Sequence, residues 1–335
     1  MNRAWRLGTL VAPFVGVLAV TWMSALAVPA PVGWTGWARD PGPNRPLLAA
    51  AGPDAARAAL DYWSPRRIAT ATSLPPAAAP AAARRIGTAG TPAGRVPPAR
   101  PGTAAFTRPT DSTGDVWSGA YGRAPAATTG KLFVETPDGP GECSGTVLNS
   151  VGKDLVLTAA HCIHGGKGSG FFRNFVFVPG QHGNARPFGA WAARAWTVLS
   201  NWAEASDMRY DVGILVMQPR NGRHIAEVTG GQGLAWNERR GLSATVLGYP
   251  RGPGAKYGGN WLAYCQGVTL RGDWGRHRIA CDMGQGASGG PWVVRPDRRG
   301  LGFVYTVNST YTGDAYYGPY FDGKVGELYS SVAAR

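Results

Sequence analysis

Residues 154–162 read "DLVLTAAHC". Leu155 to Thr158 make an apolar run too short for a helix and rich enough in branched side chains for a buried strand. The run ends in two alanines and then His161, so a rigid strand end fixes the backbone of that histidine, and Cys162 beside it offers a further covalent anchor.

The same texture extends outward in both directions. From about Val116 the chain shows "KLFVET", "GTVLNS", "FVFVPG", "AWTVLS", "VGILVMQ", "ATVLGYP", "PWVVRP" and "GFVYTVNS", separated by Gly, Asn, Asp and Pro. Short apolar runs with frequent turn signals predict an all-β sandwich or barrel. Only residues 323–334 place apolar residues at helical spacing, at Val325, Leu328, Tyr329 and Val332, which predicts a helix at the end of the chain.

The first third of the chain differs. Of 34 Lys and Arg residues, 12 fall in residues 1–114, against 4 of the 20 Asp and Glu. Residues 1–30 carry Arg3 and Arg6 ahead of an uncharged apolar run that ends in small residues, the pattern of a secretory signal cut after Ala27 or Ala30. The run from Leu7 to Val28 is also long enough for a membrane anchor, and either reading places the rest of the chain outside the cytoplasm. Residues 31–115 are rich in Ala, Pro and Arg with few large apolar side chains. That composition predicts a mostly disordered pro-segment or linker, with one short helix near 54–63. The net charge of +14 does not come with a basic face interleaved with stacking aromatics, so no nucleic-acid partner is expected.

Residues 281–292, "CDMGQGASGGPW", set Ser288 among Gly284, Gly286, Gly289 and Gly290. A serine hydroxyl becomes a useful nucleophile only beside a base that a third group orients. Among five histidines, His161 has the most rigid setting; His164 lies in a Gly-rich loop, and His182, His224 and His277 lie in polar, turn-like sequence. Asp211 opens the apolar run "DVGILVM", where partial desolvation suits a carboxylate that receives an imidazole N–H; Asp207 is the substitute. Four cysteines suit an oxidising compartment and allow three pairings. With no CxxC, and only a partial ligand set in "HCIH" (161–164), no metal or other cofactor is expected.

Taken together, "CSGT" (143–146), "LTAAHC", "YDVGILV" and "GASGGP" (286–291) resemble the boxes of trypsin-like serine proteases of the chymotrypsin fold, in that family's His, Asp, Ser order. The closest style is that of secreted bacterial members related to glutamyl endopeptidases. The resemblance implies two Greek-key, six-stranded β-barrels over about 128–220 and 230–320 within a domain spanning 116–335. His161 would be the general base, Asp211 its orienting partner and Ser288 the nucleophile. The amides of Gly286 and Ser288 would form an oxyanion hole. It also implies disulfides Cys143–Cys162 and Cys265–Cys281, a zymogen, and a secreted monomer acting on protein or peptide substrates, with no membrane association after signal cleavage.

The sequence departs from the family at Ala287, where many members carry an aspartate that pairs with a freshly cut N-terminus; other contacts must then hold the oxyanion loop. Asp282 stands where a pocket-floor aspartate selects Lys or Arg, or else faces solvent. Asn308 and Ser309 in "VNSTY" are expected on the facing wall of the substrate pocket, with no histidine there to recognise glutamate. The alternative to an endopeptidase is an inactive domain of the same fold that binds peptides or surface ligands.

Overall fold

A computed structural model of the chain describes residues 44–75, 93–98, 112–251 and 258–335. The expected signal segment lies outside the described residues, as does much of the Ala/Pro/Arg-rich stretch. In the described parts of that stretch a helix stands where the short helix near 54–63 was expected, joined by a second helix and short strands that the composition did not suggest. Residues 46–73 form strand β1 (Pro46–Ala50), helices α1 (Pro53–Tyr62) and α2 (Pro65–Thr70) and the short strand β2 (Thr72–Ser73), followed further on by β3 (Gly94–Val96) and β4 (Ser112–Val116). Composition undervalued this segment because its alanines are small enough to pack flat on a sheet. Ala56, Ala59, Trp63 and Ala71 bury against Phe133, Val176, Val178 and Ala192. Proline at the first turn of each helix and the Ser64 cap on Arg67 N start α1 and α2.

The first barrel comprises β5 (Thr129–Thr136), β6 (Gly139–Leu148), β7 (Leu155–Thr158), β8 (Arg173–Pro179), β9 (Trp191–Leu199) and β10 (Gly213–Met217). Pairing runs β5–β6–β7–β10–β9–β8 and returns to β5. All of these pairs are antiparallel, and because the order closes on itself the barrel leaves no free ladder edge. β1 adds to β9 on the outside, and β2 runs parallel to β6. Helix α3 (Ser200–Ala205) and helix α4 (Ile225–Thr229) flank this barrel.

The second barrel takes β11 (Gly233–Trp236), β12 (Ser243–Gly248), β13 (Ala263–Val268), β14 (Leu270–Arg271), β15 (His277–Ala280), β16 (Pro291–Val294), β17 (Phe303–Val307), β18 (Thr310–Tyr311) and β19 (Ala315–Gly318). Its strands form a seven-stranded sheet that recruits β3 and β4, and a four-stranded sheet β14–β15–β19–β18. The Cys265–Cys281 disulfide ties β13 of the first sheet to the residue after β15 of the second. Helix α5 (Gly323–Ser330) closes the chain, capped by Asp322 on Lys324 N, with Val325, Leu328 and Tyr329 buried.

One apolar core runs through the first barrel and includes Leu247, Val293, Val304 and Leu328 from beyond it. Two histidines are buried in the protein without a charge partner. Burial pushes the His164 imidazole down to about 4; burial, with the Arg240 charge adding to it, pushes His277 down to about 3. Both stay neutral in the fold, whereas the unfolded chain protonates them near pH 6.5. Their contribution is therefore complete above about pH 6.5 and is lost as pH falls from there, toward 4 for His164 and toward 3 for His277, by up to about 1.4 kcal/mol per pH unit for each group. Calorimetry from pH 7 to pH 4.5 should show a falling Tm, with a shallower fall in His277→Phe; a flat Tm in the parent protein contradicts this.

Candidate active site

His161 sits on a single 3-10 turn, Ala160–Cys162, directly after β7. The Cys143–Cys162 disulfide joins that turn to β6. Asp211 follows a second such turn, Met208–Tyr210, at the mouth of β10. Because β7 and β10 are neighbours with Gly213 opposite Thr158, the strand ends carry the two side chains together.

The Asp211 carboxylate has no exposure to solvent. The His161 backbone N–H donates to its Oδ1 at 2.9 Å, and the His161 ring nitrogen Nδ1 lies 2.8 Å from Oδ2. The Ser309 hydroxyl donates to Oδ2 at 2.6 Å. Burial alone would raise the Asp211 pKa; the adjoining imidazole and the three hydrogen bonds outweigh it and hold the carboxyl below the ordinary range. An ionised carboxylate on Nδ1 requires the proton there, which leaves Nε2 as the basic nitrogen. Among the described residues Nε2 is buried and without a hydrogen-bond partner.

Ser288 is 8% exposed and lies in a turn whose shape depends on glycine. Gly286 has φ +94°, and a Cβ there would meet the backbone of Arg251 and the Ser73 hydroxyl at 2.5 Å. Gly289 has φ +79°, and its Cβ would strike Thr158 Oγ1 at 2.0 Å, so β7 lies directly against the serine turn. The Ser288 carbonyl accepts from Ser144 N at 2.7 Å. Ser144 Oγ in turn accepts from Tyr249 N at 2.9 Å, and its carbonyl accepts from Thr158 Oγ1 at 2.7 Å. Ser144 thus links the serine loop to the first barrel. In the sequence it was visible only as part of the "CSGT" box, with nothing to assign it that role. The Ser288 hydroxyl itself lies 3.4 Å from the Leu74 carbonyl oxygen.

The three residues expected near the substrate are placed as follows. Asn308 is fully buried, donating to the carbonyls of Leu247 and Ala287 at 3.0 and 2.9 Å and accepting from Trp292 Nε1 at 2.7 Å. Its side chain is spent inside the protein, and it supplies the support for the loop that an aspartate at Ala287 would otherwise give. Ser309 points at Asp211 rather than at a ligand. Asp282 is exposed, the setting of a surface carboxylate and not of a buried pocket floor. Asn308 and Ser309 form the link between β17 and β18, and composition does not reveal whether a polar side chain in such a link bonds to the protein or meets a ligand.

The remaining candidates are engaged elsewhere. Asp207 is held by Arg209 Nε at 2.8 Å. His164 Nδ1 accepts from Gly166 N at 3.0 Å, His224 Nδ1 is 2.7 Å from Asp154, and His182 Nδ1 is 3.0 Å from the Gly180 carbonyl. Among the described residues one group has metal-ligand proximity, Cys143, His161 and Cys162. Its two sulfurs are joined as a disulfide, so only the imidazole could coordinate, and the set does not suit a metal.

A buried Asp–His pair thus stands on the first barrel, and the glycine-flanked serine turn, from the loop before β16 of the second, lies against β7. The model of the trypsin-like peptidase domain matches residues 143–300. Protease Anisep from Arthrobacter nicotinovorans is 33% identical over 64% of this chain and 99% of its own, with TM-score 0.58. Serine protease AL20, a thermostable enzyme from an extremophilic microorganism, is 30% identical over 62% of this chain and 97% of its own, also at 0.58. A Glu endopeptidase shares the fold at 17% identity and TM-score 0.55, over 67% of this chain and 98% of its own. An extracellular metalloprotease of Bacillus subtilis (strain 168) is 25% identical over 128 residues, 38% of this chain; the chain spans only 39% of that protein. The chain belongs to the trypsin-like peptidase family of the chymotrypsin fold, a group of peptide-bond hydrolases that includes the glutamyl endopeptidases.

Removing the Ser309 hydroxyl takes one charge-assisted hydrogen bond from a buried carboxylate. Such bonds contribute about 1.5–3 kcal/mol, so Ser309→Ala should lower kcat/KM for peptide hydrolysis roughly 10- to 100-fold while KM moves little. Unchanged kinetics would show that the bond does not orient Asp211.

Proposed function

We propose that the protein is a secreted serine endopeptidase, made as a zymogen, that hydrolyses peptide bonds through an acyl-enzyme. The observation that carries this reading is the buried Asp211–His161 pair, tied at Nδ1 with Nε2 left basic, beside a hydroxyl held in a turn that only glycines can form.

Ser288 Oγ attacks the scissile carbonyl carbon while its proton passes to His161 Nε2. The C=O electron pair moves onto oxygen, which the amides of Gly286 and Ser288 receive. Collapse of the tetrahedral species breaks the C–N bond, and the imidazolium returns its proton to the departing amine. Water then attacks the Ser288 ester with the same base, releasing the acid and restoring the hydroxyl. Throughout, Asp211 stays ionised, orients the ring and stabilises its positive form.

Secretion is supported by two disulfides, which persist in oxidising surroundings, and by the extracellular designation of the Bacillus relative. Among the described residues no helix is long and apolar enough to cross a membrane.

A fluorophosphonate probe should label the active protein at one site, and Ser288→Ala should abolish labelling. Asp211→Asn should lower kcat by about 10⁴-fold, because the ring then loses its tautomeric preference. Labelling at another residue, or full activity in Ser288→Ala, would overturn the assignment.

A further inference from the structure

The segment Ala71–Pro75 lies across the serine. β2 continues the sheet beside β6, with Thr72 opposite Gly141 and Ser73 opposite Glu142. One residue on, Leu74 N donates to the Glu142 carbonyl at 3.3 Å, and its side chain rests on Gly141, where a Cβ would come within 2.7 Å of Leu74 Cδ2. The Leu74 carbonyl then takes up the hydrogen bond of the Ser288 hydroxyl. Pro75 has no N–H and ends the pairing there. The hydroxyl that should face His161 Nε2 is directed to a backbone oxygen, while Nε2 lacks a partner among the described residues.

A clasp holds this segment. Arg251 Nη1 donates to the Ala71 carbonyl at 2.9 Å and to Glu142 Oε2 at 3.1 Å. Glu142 Oε2 also lies 2.7 Å from Lys131 Nζ, with both side chains 2% exposed or less. The Ser73 hydroxyl donates to the Arg251 carbonyl, and Arg251 N donates to the Gln285 carbonyl at 2.7 Å, one residue before Gly286. The segment is also anchored upstream, since α1 and Trp63 are packed on the first barrel. It is therefore seated on both the nucleophile and the loop that forms the oxyanion site.

We propose that Ala71–Pro75 is an intramolecular plug, clasped by Arg251 and Glu142 over Ser288, that keeps the peptidase closed until the segment is lifted away. This rests on the assignment of Ser288 as nucleophile. A site that is competent in only a small fraction of molecules reacts more slowly in that proportion, so releasing the plug raises the rate without altering the catalytic groups.

The test uses the full chain and two variants that act on different parts of the plug: Leu74→Asp, which sets a carboxylate beside Glu142, and Arg251→Ala, which opens the clasp. The readout is the rate of fluorophosphonate labelling, with folding verified by thermal unfolding. Both variants should label about tenfold or more faster than the parent. A synthetic peptide of residues 69–75, "ATATSLP", added in trans should slow the variants in a concentration-dependent way and leave the parent unaffected. Equal rates in all three proteins with no effect of the peptide would overturn the plug while leaving the serine peptidase intact. No labelling in any folded form, variants included, would instead overturn the reading of Ser288.

Discussion

The arrangement depends on a single buried negative charge. Taking a carboxylate out of water costs several kcal/mol unless hydrogen bonds and an opposite charge replace the solvent. Asp211 meets that requirement with the His161 amide, the His161 ring and the Ser309 hydroxyl. The first two donors come from the turn after β7 and the third from the strand end before β18. Satisfying one carboxylate therefore brings the two barrels together at the point where the serine loop must also arrive. A cleft between two barrels would otherwise be free to slide; here the demand of a buried charge for donors fixes its registry.

The serine loop is held by a parallel logic that uses backbone groups. Ser144 reaches from β6 to the Ser288 carbonyl, and Asn308 reaches from the end of β17 to the Ala287 carbonyl. An amide side chain can hold a carbonyl oxygen without a charge and without a chain terminus. With alanine at 287, loop geometry does not require an ion pair with a new N-terminus. Control of activity then falls on what covers the site, and the segment that covers it is drawn from the part of the chain that composition marks as least able to fold.

The strands of the first barrel were legible in the sequence, with β12, β16 and β17 of the second, because each is a short apolar run with turn residues at its ends, and the helix at 323–330 because its apolar residues repeat at helical spacing; β11, β13, β14, β15, β18 and β19 were not, since they are two to six residues long and carry Gly, Arg, Gln or Thr among few apolar side chains. His161 and Asp211 were legible for a related reason: each stands at the end of such a run, and ends of neighbouring strands meet. The inward roles of Asn308 and Ser309 were not, since a polar pair at a strand end reads the same whether it faces a ligand or the core. Ser144 and Glu142 were hidden in the same way, because their importance comes from partners more than 100 residues away, Tyr249 and Arg251. Of residues 44–75 only the helix near 54–63 was legible; β1, α2 and β2 were missed because small alanines count little in a hydrophobic tally and yet pack closely against a sheet.

The most direct measurement is nuclear magnetic resonance of the ¹⁵N-labelled imidazoles in the folded protein near neutral pH. The account predicts that His161 carries its proton on Nδ1, as a strongly downfield resonance shielded from solvent exchange, and that this resonance disappears in Asp211→Asn. A His161 ring protonated on Nε2, or one whose Nδ1 proton exchanges as freely as that of a surface histidine, would contradict it.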